Sequence, residues 1–438
     1  MEPSPQPALR RHIGLIGLTL YGLGDILGAG IYGLVGKAAG QMGNAVWLAF
    51  LASMVAAGFT GLSYAAVGSR HPRAGGAAYV TARAFRLTGL AYLVGLATMA
   101  SGLTSMATAS RVFAGYLQGM LPGVSYDLLT VGFATVITAI VLYGIRETIA
   151  TNALCTVIEV SGLLLIIVFG VSFIGSVNYL DAVTVDNAAG VITPGLILGG
   201  AVLTFYSFIG FEDMLNVSEE VKNPVRVLPR ALILAVVGAS AIYITVSLIA
   251  VSVIPAGDLA ASKQPLVDVV RVAIPWFPPR LFSFIALFAV SNTALLNFVM
   301  ASRLLYGMSR QGLLPKVLGR VHARTATPHV AILVLYGLLL ALALSGDIGQ
   351  LARATSILLL SCFVVVNAAL LVLKRREPAP EGVFDVPSFV PVAGAVICLA
   401  MLSQARQPEL ITAGIILGVI GVLYLVLRPD PKAVEQME

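Results

Sequence analysis

Twelve apolar stretches follow one another along the chain, at roughly 13–36, 45–68, 87–118, 127–144, 152–176, 192–218, 230–254, 281–308, 328–346, 350–373, 386–404 and 409–427. A helix rises about 1.5 Å per residue, so about 20 apolar residues cross the ~30 Å hydrocarbon core of a bilayer. The expectation is an all-α polytopic membrane protein with twelve transmembrane helices. Composition agrees, because 58% of the 438 residues are hydrophobic and only 11% are charged. A soluble protein of this size needs far more surface charge. One membrane domain, residues 1–438, accounts for nearly every residue, with no linker, low-complexity run or soluble domain to split it.

An even number of spans puts both termini on one side, and charge chooses the side. With the termini inside, the inner loops hold twenty of the 27 Lys and Arg, from Arg10 and Arg11 to Arg428 and Lys432. The remaining seven are Lys37, Arg111, Lys263, Arg271, Arg280, Arg353 and Arg406. The excess of inner positive charge predicts cytoplasmic termini and a multi-pass protein of the cytoplasmic membrane. The net charge of +6 does not suggest nucleic acid. The densest run, Lys374-Arg375-Arg376, sits at a helix end and reads as a topology anchor. The expected partners are a small molecule and the lipid bilayer. Cys155, Cys362 and Cys398 lie far apart inside apolar stretches and read as packing residues. His12, His71, His322 and His329 form no metal-binding spacing. No metal and no cofactor is expected. The first apolar stretch is too long for a signal-peptide core and is expected to stay as the first span.

Two stretches break the pattern. Gly28-Ala29-Gly30-Ile31-Tyr32-Gly33 puts three glycines into the first span, where each costs about 1 kcal/mol relative to alanine in a helix interior. Phe205-Tyr206-Ser207-Phe208-Ile209-Gly210-Phe211-Glu212-Asp213 lies in the sixth. Non-helical backbone survives at membrane depth only where protein encloses it or it lines a cavity. Interrupted spans in corresponding places of two halves point to a transporter's binding site. The competing reading of the glycines, close helix packing, weakens once the second break is seen. Carboxylates at membrane depth are rare and costly, so Asp25, Glu159 and Glu212 are functional candidates.

Four ordered motifs resemble those of amino acid–polyamine–organocation transporters. They are Gly28-Ala29-Gly30-Ile31-Tyr32; Pro72-Arg73-Ala74-Gly75-Gly76-Ala77-Ala78-Tyr79; Phe208-Ile209-Gly210-Phe211-Glu212 with Glu219-Glu220-Val221-Lys222-Asn223-Pro224; and Ser302-Arg303-Leu304-Leu305-Tyr306 with Gly312-Leu313-Leu314-Pro315. The second has one extra residue before its tyrosine. The resemblance implies a LeuT-like fold with helices 1 and 6 broken. Spans 1–5 (13–176) and 6–10 (192–373) would form a 5+5 inverted repeat, with helices 11 and 12 (386–427) outside it.

An amino acid presents a carboxylate and an ammonium a few ångströms apart. Free backbone N–H groups at a half-helix N-terminus suit the first, and free carbonyls suit the second. Ala29, Gly30 and Ile31, beside Gly28, are therefore expected on the carboxylate. Tyr206, Ser207 and Ile209, beside Gly210, are expected on the ammonium. The resemblance implies an aromatic gate at or near Tyr206 and Phe208. Helix order places Asn297 and Thr104–Met106 along the side-chain pocket. Proton-coupled relatives often carry a lysine where this chain has Glu159, which inverts the sign. Three roles stay open for Glu159: carrying a coupled proton, sharing it with Asp25; binding Na⁺ or a cationic substrate; or pairing with a residue such as Arg111. Glu212 resembles an acidic gate or proton sensor, and capping of the second half-helix is the other reading. Glu219 and Glu220, with Lys222, Arg226 and Arg230 nearby, would form a cytoplasmic salt-bridge latch.

The function expected is secondary transport of neutral L-amino acids by alternating access, with proton symport. An amino-acid exchanger and a carrier of cationic amino acids or polyamines stay open within the same class. A membrane enzyme is disfavoured because no catalytic cluster is present. A non-transporting sensor with the same fold is the remaining alternative.

Overall fold

The computed structural model describes residues 11, 13–71, 76–144, 149–215, 217–310, 312–322, 324–325, 327–378 and 380–429. Sixteen α-helices form among them: α1 (Leu15–Ile26), α2 (Ala29–Met42), α3 (Val46–Arg70), α4 (Gly76–Phe85), α5 (Thr88–Met120), α6 (Tyr126–Tyr143), α7 (Ile149–Gly170) and α8 (Pro194–Thr204), then α9 (Pro224–Val253), α10 (Ala256–Ala261), α11 (Pro265–Ala273), α12 (Pro279–Arg310), α13 (His329–Ser345), α14 (Ile348–Arg376), α15 (Phe389–Leu402) and α16 (Gln407–Leu427). Extended pairing among the described residues is limited to a bridge between Ile13 and Val221. The protein is thus an all-α polytopic membrane protein.

Each expected span falls on helix, but the lengths differ. Nine helical stretches among the described residues are long and apolar enough to cross a bilayer. Leu15–Ile26, His329–Ser345 and Phe389–Leu402 are apolar but shorter. The turn expected between the second and third spans contains α4, whose Tyr79, Val80 and Ala84 face inward. Pro72 to Gly75 of that motif lie outside the described residues.

The core forms where helices from the two halves of the chain interleave. Helix α3 packs along α9 and α5 along α12. Small residues set the closest approaches. A Cβ on Gly22 would meet the Met214 sulfur at 2.5 Å, and one on Gly36 would run into the backbone carbonyl of Leu259. The second contact seats α10 over α2. Helices α15 and α16 pack on the outside, against α3 and α14 and against α14 and α5 respectively. Helix α16 leaves Ile411, Ile415, Val419, Val422 and Val426 exposed, as a lipid-facing helix does.

At the arginine-rich end of the bundle, the strap between α14 and α15 is tied down by charge. Asp385 takes Arg70 at 2.9 Å and Lys374 at 2.7 Å, while Arg83 reaches Glu377 at 3.2 Å. Of the latch expected at Glu219 and Glu220 with Lys222, Arg226 and Arg230, the Glu220 half is not formed among the described residues. Among the described residues Glu220 makes no ion pair, and its carbonyl instead accepts from the Ile13 N–H at 3.1 Å. The side chain of Glu219 lies outside the described residues.

Candidate functional site

The first span breaks between α1 and α2. Leu27 turns extended (φ −75°, ψ 137°) and Gly28 takes φ 151°, a conformation that disfavours any side chain. A Cβ on Gly28 would also collide with the Thr293 hydroxyl of α12. The hydrogen-bond ladder of α2 starts at Tyr32, which donates to the Gly28 carbonyl at 3.3 Å. The N–H groups of Ala29, Gly30 and Ile31 are therefore the helix's orphan donors. Ala29 reaches Thr293 Oγ1 at 3.4 Å. This end also carries the positive end of the helix dipole.

The second break faces the first. Helix α8 ends at Thr204, a 3₁₀ turn covers Phe205–Phe208, Ile209 is extended and Gly210 has φ 122°. The chain does not resume as an α-helix. It continues as short 3₁₀ segments, Phe211–Leu215 and Ser218–Glu220. The two breaks touch, because a Cβ on Gly30 would lie 2.5 Å from Ser207 Cα. On the other side, a Cβ on Gly210 would sit 2.7 Å from the Asp25 carbonyl carbon. Glu212 accepts the Gly210 N–H at 2.9 Å, so its carboxyl closes the turn locally in capping geometry.

Of the carbonyls expected to face a cation, Tyr206 O accepts from the Ile209 N–H at 3.3 Å and Ser207 O from the Tyr243 hydroxyl at 2.8 Å. The Ser207 hydroxyl is buried and has no hydrogen-bond partner among the described residues. The two aromatics of the break diverge. Tyr206 points at α5, sharing hydrogen bonds of 3.1 Å with Ser105. Phe208 is fully buried, edge-on to Tyr243 at 5.2 Å. Asn297 donates to Thr293 O at 2.9 Å, one turn from the break, and its amide oxygen faces Gly102 of α5.

Glu159 on α7 lies behind the first break, fully buried, and neither carboxyl oxygen finds a hydrogen-bond partner among the described residues. Its backbone carbonyl accepts the Tyr32 hydroxyl at 2.8 Å. Asp25, 5% exposed, and the Asn292 carboxamide of α12 lie within electrostatic reach of its side chain. Asn292 donates to Asn152 Oδ1 at 3.3 Å, and Thr156 donates to the Leu20 carbonyl at 3.2 Å. Asp25, Asn152, Thr156, Glu159 and Asn292 thus form one buried polar seam where α1, α7 and α12 meet. Arg111 is not part of it: it donates to Ala343 O at 2.7 Å and lies 3.9 Å from Asp127.

Two contributors escaped sequence reasoning. The Tyr243 hydroxyl lies 2.6 Å from Ile26 O and 2.8 Å from Ser207 O, so one side chain of α9 spans both breaks. It has one hydrogen to give, so it satisfies one carbonyl at a time. The other is Thr293, the hydroxyl beneath the open end of α2. A tyrosine or threonine in an apolar helix carries no signal beyond packing, so neither was legible.

An all-helical multi-pass protein with two broken helices meeting inside the bundle has the construction of a membrane transporter. Comparison with known proteins narrows the class. A family model described as amino acid permease matches residues 13–426. The branched-chain amino acid permease of Bacillus subtilis (strain 168) is 27% identical over 421 residues, which cover 91% of this chain and 89% of that protein. A methylthioribose transporter of the same bacterium is 26% identical over 420 residues, covering 90% and 88%. Cationic amino acid transporter 4 of Mus musculus is 31% identical over 406 residues, covering 87% of this chain and 62% of that protein. The chain belongs to the amino acid permease family. It is a transporter, not an enzyme.

Proposed function

We propose that the protein is a secondary transporter that holds a neutral L-amino acid where its two helix breaks meet, and moves it by alternating access with a proton. The observation that carries this reading is the contact of Gly30 with Ser207. It brings the N-terminal N–H groups of Gly30 and Ile31, beside Ala29 held by the Thr293 hydroxyl, against the irregular backbone of 205–210, so donors for a carboxylate and acceptors for an ammonium share one place. The names of two relatives, a branched-chain amino acid permease and a cationic amino acid transporter, support an amino acid as cargo.

The packing supports two inverted repeats, 13–176 and 192–373. Helix α1 packs on α9 as α8 packs on α3, α7 on α12 as α14 on α5, and α1 on α7 as α8 on α14. The exchange of partners is what a two-fold relation between halves requires. Counting α1 with α2 as one span and α8 with its 3₁₀ continuation as another gives twelve crossings. The concentration of Lys and Arg at one end supports cytoplasmic termini in the cytoplasmic membrane.

For coupling, Glu159 is the proton carrier in this reading, because its carboxyl is fully buried and, among the described residues, has the Asn292 carboxamide and the Asp25 carboxyl close to it. The same observation favours a second reading. A buried carboxyl with Asp25 nearby also suits a cation, either Na⁺ or the side chain of a cationic amino acid. Uptake of a labelled panel of amino acids and polyamines into proteoliposomes separates the two. Uptake of a neutral amino acid driven by an inward proton gradient supports the first. Uptake of cationic compounds alone overturns it in favour of the second.

A further inference from the structure

The Ser302-Arg303 motif takes no part in the site above, and it lines a separate cavity of 430 Å³. Val299, Ser302, Arg303 and Tyr306 recur at helical spacing and place one stripe of α12 along the cavity wall. Val141 and Gly144 at the end of α6 and Ile332 near the start of α13 close the sides, and Val321, Thr325, Thr327 and Pro328 form the rim. The cavity therefore opens between three transmembrane helices at the arginine-rich end of the bundle. Its neighbourhood is that of a membrane interface. Tyr143 is 81% exposed at the end of α6, and Leu333 and Val334 are exposed on α13.

The chemistry of the wall is split. Valines and Ile332 supply an apolar floor. Arg303 and Tyr306 supply donors, and neither makes a hydrogen bond or ion pair with any described residue. The nearby hydroxyls are committed locally: Ser302 donates to Val299 O at 2.9 Å, and Thr327 to Leu142 O at 3.1 Å. The open donors are thus a guanidinium and a phenol three residues apart. A guanidinium offers five N–H groups in a fork suited to phosphate oxygens. Arg320 directly precedes the rim residue Val321 in the chain.

We propose that this cavity is a site for an anionic phospholipid, its headgroup phosphate on Arg303 and Tyr306 and its acyl chains along Val141, Val299 and Ile332. A basic pocket between transmembrane helices is the form such sites take. The site stands on the membrane embedding of the chain and is independent of which substrate is carried.

The test uses the full chain, purified, delipidated and held in detergent. It is titrated with phosphatidylglycerol, with phosphatidylcholine of the same acyl chains, or with glycerol phosphate, and bound molecules are counted by native mass spectrometry. One phosphatidylglycerol per chain is expected to bind in preference to phosphatidylcholine. Arg303→Gln weakens that adduct about fivefold, the order expected of one basic contact to an anionic headgroup. Val321→Trp, placed on the exposed rim where it does not strain the bundle, blocks the mouth and removes the preference while leaving the lipid-free melting temperature unchanged. Equal binding of the two lipids would reduce the site to an apolar groove. Displacement of phosphatidylglycerol by glycerol phosphate at equal concentration would make it a free-anion site. A phosphatidylglycerol adduct unchanged in both variants would place the lipid elsewhere. Each of these three results overturns the proposal.

Discussion

At the scale of single residues, the site rests on atoms that are absent. Gly30 has no Cβ, and the space that Cβ would take is already held by the backbone of Ser207. Backbone cannot swing aside as a flexible side chain can, so Gly30→Ala must push the two breaks apart. Uptake is expected to fall at least about tenfold, since a misplacement of about 1 Å in a binding geometry costs that much or more. The melting temperature should fall less steeply, because most of the core lies elsewhere. Equal uptake by Gly30→Ala and wild type would show that the breaks need not touch. Glu159 poses the opposite case, an ionisable group buried at membrane depth with Asn292 and Asp25 as polar neighbours among the described residues. If it carries the coupled proton, Glu159→Gln abolishes gradient-driven uptake while exchange between preloaded vesicles and medium persists. Loss of both together would make Glu159 part of the substrate or ion site. The glycines of the first break were legible in the sequence because their helix cost had to be repaid by something. Tyr243 and Thr293 were not, because one hydroxyl in a helix of apolar residues looks the same whether it bridges two carbonyls or simply packs.

At the scale of elements, the sequence showed where helices would break but not what would follow. The segment Phe211–Leu215 has the composition of a helix start, yet its first turn closes as 3₁₀ on Gly210 O and the Glu212 carboxyl. Asp25 of α1 packs against Gly210 just before this segment, a contact no local window contains. Arg353 is a similar case. Counting charges put it among the seven basic residues outside the inner loops, but the fold buries it. It sits 3.3 Å from Glu409, donates to Gly199 O at 3.0 Å and holds Gln41. One guanidinium thereby joins α2, α8, α14 and α16. Removing one partner of a buried pair leaves an uncompensated charge, which costs about 3–5 kcal/mol, whereas replacing both by apolar residues is often near neutral. Glu409→Gln should therefore lower the melting temperature of purified protein sharply, and Arg353→Met with Glu409→Leu should recover most of the loss. A double variant as unstable as the single one would show that the hydrogen bonds to α2 and α8, not the ion pair, hold these elements. At the other end, Asp385 tests the strap before α15. Burial pushes its carboxyl up, but the Lys374 hydrogen bond, the Val386 N–H and the charge of Arg70 outweigh it and hold it below the usual carboxylate range. A carboxyl lowered in the folded state adds stability above its unfolded pKa and loses it as pH falls through the folded one. Asp385→Asn should thus melt below wild type near neutral pH. The gap should start to shrink as the pH drops beneath about 4, where free aspartate takes up its proton, and close only once it falls below the lowered folded value. A gap that persists in acid would make the strap's contribution one of packing.

At the scale of the whole molecule, the proposed alternating access would require the two halves to move against each other around a fixed site. The packing offers an interface for such motion and contacts that would constrain it. Each half contributes one broken helix, α1 with α2 and α8 with its 3₁₀ continuation. Each broken helix also packs on an unbroken one from the other half, α9 and α3 respectively. Links between the halves are then of two kinds. Contacts through Gly30 and Ser207 belong to the proposed site and would have to survive in every state. Ties at the ends, such as the Ile13–Val221 bridge, where the Lys222 N–H donates to Ile13 O at 2.8 Å, need to hold in one state only. A tie shifts the balance of states only by the free energy it has in one and lacks in the other. The bridge joins the start of α1 to the chain beyond the second break, so in alternating access it closes the arginine-rich end. Cysteines at Gly14 and Lys222 make this measurable. Cross-linking them should block transport of the amino acid in both directions, because the arginine-rich end can no longer open. Substrate binding from the opposite face, measured with the cross-linked protein in detergent, should remain. Reduction should restore uptake to within about twofold of the uncross-linked protein, a margin of less than 0.5 kcal/mol. If the cross-linked protein still transports at full rate, the bridge persists through the cycle. The moving boundary then lies between other helices, and the two-halves reading of 13–176 against 192–373 fails with it.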